Sequence, residues 1–219
     1  MSLNRTTIKV IAFDFDGTLV ESNHIKDQAF KTIFDEWSEH QRSIMDWHLS
    51  RNDVDRQEKF RYFVEEVLGQ SGDEVLIKKL TERFSVLTRK AIVDCPMVAC
   101  AQSFLDDCFG KVPMFLVSAT PQNELKSIIQ ERRMDEFFKG VYGAPISKFQ
   151  ILKGILKDEN RIPEEMLYIG DTTEDQQSAK SLGIHFVGRK SDRNLNSFTN
   201  VIYLDFVKIR KHFNQYFTL

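Results

Sequence analysis

The run Lys9-Val10-Ile11-Ala12-Phe13 is apolar without alternation, and Asp14, Asp16 and Gly17 break it at its carboxyl end. Such a run, rich in β-branched and aromatic residues, predicts a buried strand in the middle of a parallel sheet. Residues 22–92 then carry no strand pattern. Ile25, Ala29, Ile33, Phe34 and Trp37 fall on one helical face, and a short helical piece is expected around Ile44–Leu49. Val54, Phe60, Phe63, Val64, Val67 and Leu68 predict a second long helix, stopped by Gly69. Val75, Leu76, Leu80, Phe84 and Leu87 predict another, ending near Ile92. The whole block reads as helical.

From Cys95-Pro96 onward, strand and helix signals alternate. A helix over about 98–109 ends at Gly110. Pro113–Val117 is a strand ending in Ser118-Ala119-Thr120, and Pro121 opens a helix that runs to about Met134. Gly140–Gly143 is a short strand, and Ser147 caps a helix to about Lys157. Strands follow at Met166–Ile169, Ile184–Val187 and Val201–Tyr203, with a helix over about 174–182 after Gly170-Asp171. A closing helix places Phe206, Ile209, Phe213 and Phe217 on one face. This alternation predicts an α/β fold, a doubly wound, Rossmann-like parallel sheet with an all-helical block inserted after its first strand. The expected units are 1–20 with 94–219 for the α/β core, and 21–93 for the helical insertion.

Composition narrows the function classes. The chain has 219 residues, is 42% hydrophobic and 28% charged, and carries a formal net charge of −2. That balance is ordinary for a globular protein and lacks the basic excess of a nucleic-acid or membrane-surface binder. No apolar run approaches the roughly 20 residues that span a bilayer, and Asp14 and Asp16 interrupt the first one, which is therefore no signal peptide. The three cysteines, Cys95, Cys100 and Cys108, form no CxxC pair, and no histidine pair has zinc-ligand spacing. Reduced, buried thiols in a cytoplasmic protein are expected.

The chemistry lies at the strand ends. Asp14 and Asp16 share one face of an extended chain. Two like charges there repel and are costly to desolvate unless a divalent cation held by oxygen ligands neutralises them. The plainer alternative is a turn dipeptide, Asp16-Gly17, after an exposed strand end. Ligands of doubly wound sheets bind beyond the carboxyl ends of the strands. Ser118, Lys148, Asp171 and Asp175 all follow strands and are expected to converge there with Asp14 and Asp16. Such a set suits a hard cation and a phosphoryl group. No GxxxxGK[ST] or GxGxxG is present, which argues against a P-loop kinase or a dinucleotide-dependent oxidoreductase.

Asp14-Phe15-Asp16-Gly17-Thr18-Leu19, then Ser118, then Lys148, then Gly170-Asp171-Thr172-Thr173-Glu174-Asp175 resemble, in order and separation, the four motifs of the haloacid dehalogenase superfamily. The helical insertion is similar to the small cap of its phosphoglycolate-phosphatase-like branch. The resemblance implies that Asp14 is a nucleophile forming an aspartyl-phosphate, and that Asp16 protonates the leaving alkoxide and then deprotonates water. The superfamily's dehalogenases lack that second Asp, so its presence argues for phosphate esters. The resemblance further implies Mg2+ held by Asp14, the main-chain carbonyl of Asp16, and Asp171, with Asp175 acting partly through water. Ser118 and the Ala119 N–H are then phosphoryl donors, Lys148 neutralises Asp14 and the phosphoryl group, and Thr18 serves the phosphate or only the turn. Helix capping and surface placement are the plainer readings of Ser118, Lys148, Asp171 and Asp175.

In the helical block, Asn23, His24 and Lys26 follow the first motif. His48-x-Ser50-Arg51 with Lys59-Phe60 is similar to a pattern in sugar-biosynthesis-linked phosphatases of this superfamily. Arg51 and Lys59 are the expected contacts to a second anionic group on the substrate, or else belong to a solvated helix face. Pivots are expected at Val20–Ser22 and Asp94–Met97. The resulting expectation is a cytoplasmic, magnesium-dependent phosphatase of a small phosphomonoester, such as a sugar phosphate or a phosphoglycolate-like metabolite, with no nucleic-acid or membrane partner. The alternatives are a phosphomutase, a phosphonatase using a Lys26 Schiff base, and a non-catalytic phosphate-binding regulatory domain. Oligomeric state is not legible.

Overall fold

A computed structural model describes residues 5–51, 54–191 and 201–219. In chain order the elements are β1 (Thr6–Thr7), β2 (Val10–Phe13), α1 (Asn23–Phe34), α2 (Ser38–Ser50), α3 (Arg56–Tyr62), α4 (Glu74–Asp94), α5 (Ala101–Cys108), β3 (Met114–Pro121), α6 (Gln122–Glu131), β4 (Gly140–Ala144), α7 (Lys148–Asp158), β5 (Met166–Gly170), α8 (Thr173–Leu182), β6 (His185–Arg189), β7 (Ile202–Tyr203), α9 (Phe206–Tyr216) and β8 (Phe217–Thr218). They form two compact units, Met1–Glu21 with Cys95–Leu219, and Ser22–Asp94.

In the first unit six parallel strands lie in the order β4-β3-β2-β5-β6-β7. This is the doubly wound order, and it reverses direction around β2. β2 is buried on both faces, which is why its sequence shows no alternation. Val10 and Ala12 pack with Phe115, Tyr168, Ile151 and Leu152 of α7, and Ala179 of α8. Phe13 has the opposite parity, and its ring lies against Phe104 of α5 at 6.2 Å and Phe206 of α9 at 6.5 Å. The sheet is thus sandwiched between two helical layers. β1 and β8 form a separate two-stranded parallel sheet, Thr6 opposite Phe217. Sequence pattern does not predict it, because pairs of two residues carry no periodicity. Phe217, expected on the last helix, belongs to this pair instead.

The helical unit is built around phenylalanines. Phe30 and Phe34 of α1, Phe60 and Phe63, and Phe84 of α4 are all buried, and Phe30 stands 4.6 Å from Phe84 and 5.1 Å from Phe60. α2 is longer than expected, because its polar first half, Ser38–Arg42, masks the helical period. The second long helix begins at Arg56, capped by the Asp55 carboxylate on Glu58 N, and widens into a π turn over Phe63–Val67. α4 buries Ile77, Leu80, Phe84, Thr88 and Ile92. Val75 and Leu87, expected on that face, are exposed: Val75 lies about half a turn away from this stripe, and Leu87 at its edge, about a quarter turn from its centre. Cys95 and Cys108 are buried free thiols, whereas Cys100 is exposed at the start of α5, contrary to expectation. No described helix is long and apolar enough to cross a membrane.

Candidate active site

β2 delivers the first two carboxylates. Asp14 and Asp16 continue the parity of Val10 and Ala12, whose face packs against α7 and α8. Asp14 N donates to the Ile169 carbonyl at 2.8 Å, so β2 and β5 remain paired up to the site. The chain then reverses over Phe15–Val20: Leu19 N bonds the Phe15 carbonyl, and Gly17 N bonds the Val20 carbonyl, both at 2.9 Å. Gly17 occupies a left-handed conformation, φ 72°, which a side chain would strain. Asp14, Asp16 and Thr18 are all buried in this turn.

α7 and α8 deliver the counterparts from their first turns. Ser147 caps α7, its hydroxyl accepting from Gln150 N, and Lys148 follows as the first helical residue. Lys148 Nζ donates to Asp14 Oδ1 at 3.0 Å and to Asp175 Oδ1 at 2.6 Å. Asp175 lies in the first turn of α8 in a capping box with Thr172: Asp175 N donates to Thr172 Oγ1 at 3.2 Å, and Thr172 N to Asp175 Oδ2 at 3.0 Å. Thr172 Oγ1 adds a bond to the same Oδ2 at 2.6 Å, and the Tyr168 hydroxyl donates to Oδ1 at 2.5 Å. Both oxygens of Asp175 are therefore held. Gly170 makes room for this carboxylate, since a Cβ there would stand 2.6 Å from its Cβ and Cγ.

The remaining groups complete a connected polar cluster. Asp171, fully buried, accepts from Thr18 Oγ1 at 3.3 Å and from Ser191 Oγ at 2.5 Å. Asp16 Oδ2 accepts from Thr120 Oγ1 at 3.0 Å, and Ser118 Oγ accepts from Thr120 N at 3.0 Å. Ser118 is buried within β3, where the pairing with β4 shifts register after Val117, and Ala119 beside it is exposed. Carboxylate oxygens of Asp14, Asp171 and Asp175 all come within 4.8 Å of one another. These are hard oxygen donors, with no nitrogen or sulfur among them, and fit magnesium better than zinc.

Electrostatics matches the crowding. Burial lifts Asp14 well above the usual carboxylate range; Lys148 opposes the rise, and Asp175, Asp171 and Asp16 add to it. Burial alone would lower Lys148, but attraction to Asp14, Asp175 and Glu174 holds its ammonium well above the ordinary lysine value. Burial, with the Asp175 and Asp14 charges, likewise raises Tyr168 and keeps its phenol a hydrogen-bond donor.

Residues 11–189 match the haloacid dehalogenase-like hydrolase family. The chain belongs to that family. A comparison with curated protein sequences gave no match. Among solved structures, the fold is similar to a predicted phosphoglycolate phosphatase from Haemophilus somnus, at 18% identity and a TM-score of 0.74, covering 94% of this chain and 97% of that one. It is similar to CbbY from Rhodobacter sphaeroides in complex with xylulose-1,5-bisphosphate, at 14% identity, TM-score 0.72, with coverages of 92% and 96%. It is also similar to β-phosphoglucomutase from Clostridium difficile, at 17% identity, TM-score 0.73, with coverages of 96% and 99%. At these identities the likeness is one of fold.

For this haloacid dehalogenase-like hydrolase, the structure brings Asp14, Lys148 and Asp175 into direct contact, and joins Thr18 to Asp171. It also shows groups that the sequence reading did not single out: Tyr168, Thr120 as the partner of Asp16, and Ser191. Strand parity puts Tyr168 on the face of Met166 and Gly170 but gives no sign of its bond to Asp175. In the helical unit, Arg51 is exposed just after α2, with its guanidinium 5.9 Å from the Trp47 ring. Lys59 lies on no solvated face: it is buried, with Nζ 3.0 Å from His48 Nδ1. Asn23 is buried, His24 exposed and Lys26 half-buried.

Proposed function

We propose that this hydrolase is a magnesium-dependent phosphatase that cleaves a small phosphomonoester through a phospho-Asp14 intermediate. The observation that carries the reading is the buried Lys148, shared between Asp14 and Asp175 beside Asp171. Three carboxylates whose oxygens lie within 4.8 Å of one another, two of them on the Lys148 ammonium, favour a divalent cation. The lysine remains available to an anionic phosphoryl group.

An Asp14 oxygen attacks phosphorus as the bond to the leaving oxygen breaks. Asp16 gives its proton to that oxygen, then takes one from the water that attacks phospho-Asp14; inorganic phosphate leaves and Asp14 is restored. Thr120, bonded to Asp16 Oδ2, orients the proton-handling carboxylate. Lys148, the Ser118 hydroxyl and the Ala119 N–H stabilise the oxygens of the transferring group. Asp14, the main-chain carbonyl of Asp16 and Asp171 would hold magnesium, and Asp175 would contribute partly through water, as expected of a carboxylate whose two oxygens already accept from Lys148, Tyr168 and Thr172. Bound there, the cation offsets the repulsion between nucleophile and phosphate. Arg51 and Lys59 are proposed to serve a second anionic group on the substrate, Lys59 within the partners that hold it.

The test is release of inorganic phosphate from a panel of phosphorylated metabolites with and without magnesium. Steady release from a sugar phosphate or phosphoglycolate-like compound is expected. Isomerisation without release would indicate a phosphomutase, and binding without turnover a regulatory domain.

A further inference from the structure

Arg189 ends β6 and is only 7% exposed, yet no step of the proposed chemistry uses it. Its guanidinium reaches three acceptors in two chain segments. Nε donates to the Leu204 carbonyl at 3.1 Å, Nη1 to the Gly17 carbonyl at 2.9 Å, and Nη2 to the Glu21 carboxylate at 2.6 Å. A buried guanidinium is costly to desolvate, and its rigid planar fork suits it to hold several acceptors in fixed directions.

The segment it grips is the turn that follows Asp16. Gly17 has a left-handed conformation, so neither helix nor strand pairing orients its carbonyl. Within the turn, Gly17 N bonds the Val20 carbonyl and Leu19 N the Phe15 carbonyl. Beyond it, Val98 N bonds the Leu19 carbonyl at 2.9 Å and Glu21 N the Pro96 carbonyl at 3.0 Å. Arg189 closes this turn from outside at both ends, the Gly17 carbonyl and the Glu21 side chain. The Leu204 carbonyl anchors it to the segment between β7 and α9.

We propose that Arg189 is a positioning residue for Asp16: by clasping Gly17 and Glu21 it fixes the turn that aims the proton-handling carboxylate. The inference rests on the phosphatase reading, and its consequence is specific. A misplaced Asp16 penalises substrates whose leaving oxygen needs a proton and spares those whose leaving group departs as a stable anion.

The experiment compares kcat/KM for phenyl phosphate and 4-nitrophenyl phosphate, with magnesium, in wild type, Arg189→Gln, Arg189→Lys and Glu21→Gln. Phenolate is much the poorer leaving group. Arg189→Gln is expected to lower kcat/KM for phenyl phosphate about tenfold more than for 4-nitrophenyl phosphate, within the range that positioned proton transfer contributes. Arg189→Lys keeps the charge but loses the fork, and falls between; Glu21→Gln shows the same bias, smaller. Amide hydrogen exchange gives a readout independent of activity: Gly17 and Leu19–Glu21 lose protection in Arg189→Gln while β2 and β5 do not. If Arg189→Gln does not fold, Glu21→Gln carries both readouts, because its side chain is partly exposed. Equal loss on the two esters, or unchanged exchange at Gly17–Glu21, overturns the proposal. Failure of wild type to hydrolyse either ester defeats the phosphatase reading instead, and the exchange measurement still decides whether Arg189 holds the turn.

Discussion

Lys148 in the α/β unit and Lys59 in the helical unit are almost equally buried, 4% and 6% exposed, but their surroundings differ in kind. Lys148 faces two carboxylates directly, Asp171 lies within reach of both, and the Asp16 charge is felt at Asp14. Lys59 faces an imidazole. Its Nζ lies 3.0 Å from His48 Nδ1 and 3.4 Å from the His48 carbonyl, and His48 Nε2 lies 2.9 Å from Asp27 Oδ1. An ammonium has no acceptor, so with Lys59 charged Nδ1 accepts and Nε2 carries the proton toward Asp27. Among the described residues the relay joins the Asp27 carboxylate, the His48 ring and the Lys59 amine, and it ties α1, α2 and α3 together. Among the described residues the first cluster gathers several carboxylates at one ammonium, which suits a cation and an anionic substrate group. The second links three helices of the helical unit, which both holds that unit together and keeps Lys59 in place for the substrate group proposed above. Burial of a charged residue therefore does not by itself mark a site; a crowd of carboxylates around it at the sheet edge does.

That contrast can be broken most sharply at Lys148. Lys148→Met is expected to lower kcat by on the order of 10²–10³, and to lower the melting temperature as well, since two buried carboxylates lose their partner. If kcat survives, the charge cluster at the sheet edge is not catalytic.

Magnesium tests the same cluster from outside. Added at about 100 times its Kd it should stabilise wild type by about 2.7 kcal/mol, and Asp171→Asn should lose most of that gain. Because burial raises the Asp14 carboxyl, a proton competes with the cation there. A raised carboxyl favours the metal-free fold at acid pH and loses that contribution as pH climbs through the raised value. The stabilisation by magnesium, measured by thermal melts, should therefore grow with rising pH. A pH-independent gain would place the ion away from Asp14.

In the helical unit the expected effects are smaller and fall on stability. Lys59→Met should cost about 1–3 kcal/mol by removing the buried Nζ contact to His48, while kcat for a generic aryl phosphate holds. Arg51→Ala should change stability by less than about 0.5 kcal/mol and raise KM for the true substrate alone. Equal losses on aryl phosphate and true substrate would show that either residue acts through the fold.

Much of the α/β unit was legible in the chain because each functional residue sits at a punctuation point. Asp14 and Asp16 end an apolar strand, Lys148 follows the capping Ser147, and Asp171 follows Gly170. Contacts made across the fold were not legible. Tyr168 reads as one more apolar strand residue until Asp175 is seen beneath Gly170. Arg189 reads as a surface arginine until Gly17 and Glu21 are found against it. The Lys59 relay escaped the sequence reading for the same reason: its partners lie 11 residues away at His48 and, through the His48 ring, a further 21 residues away at Asp27. No local period connects them.

The most direct measurement is the turnover of Asp14→Asn beside wild type, as magnesium-dependent phosphate release, with acid-quenched mass spectrometry of the peptide bearing residue 14. Asn at this position keeps the shape and loses the nucleophile. Wild type should release phosphate and carry a transient phosphoryl group on Asp14, while Asp14→Asn should fold, do neither, and lose essentially all activity. Equal turnover by the two proteins, or phosphate release with no phosphorylated peptide in wild type, would contradict the covalent mechanism.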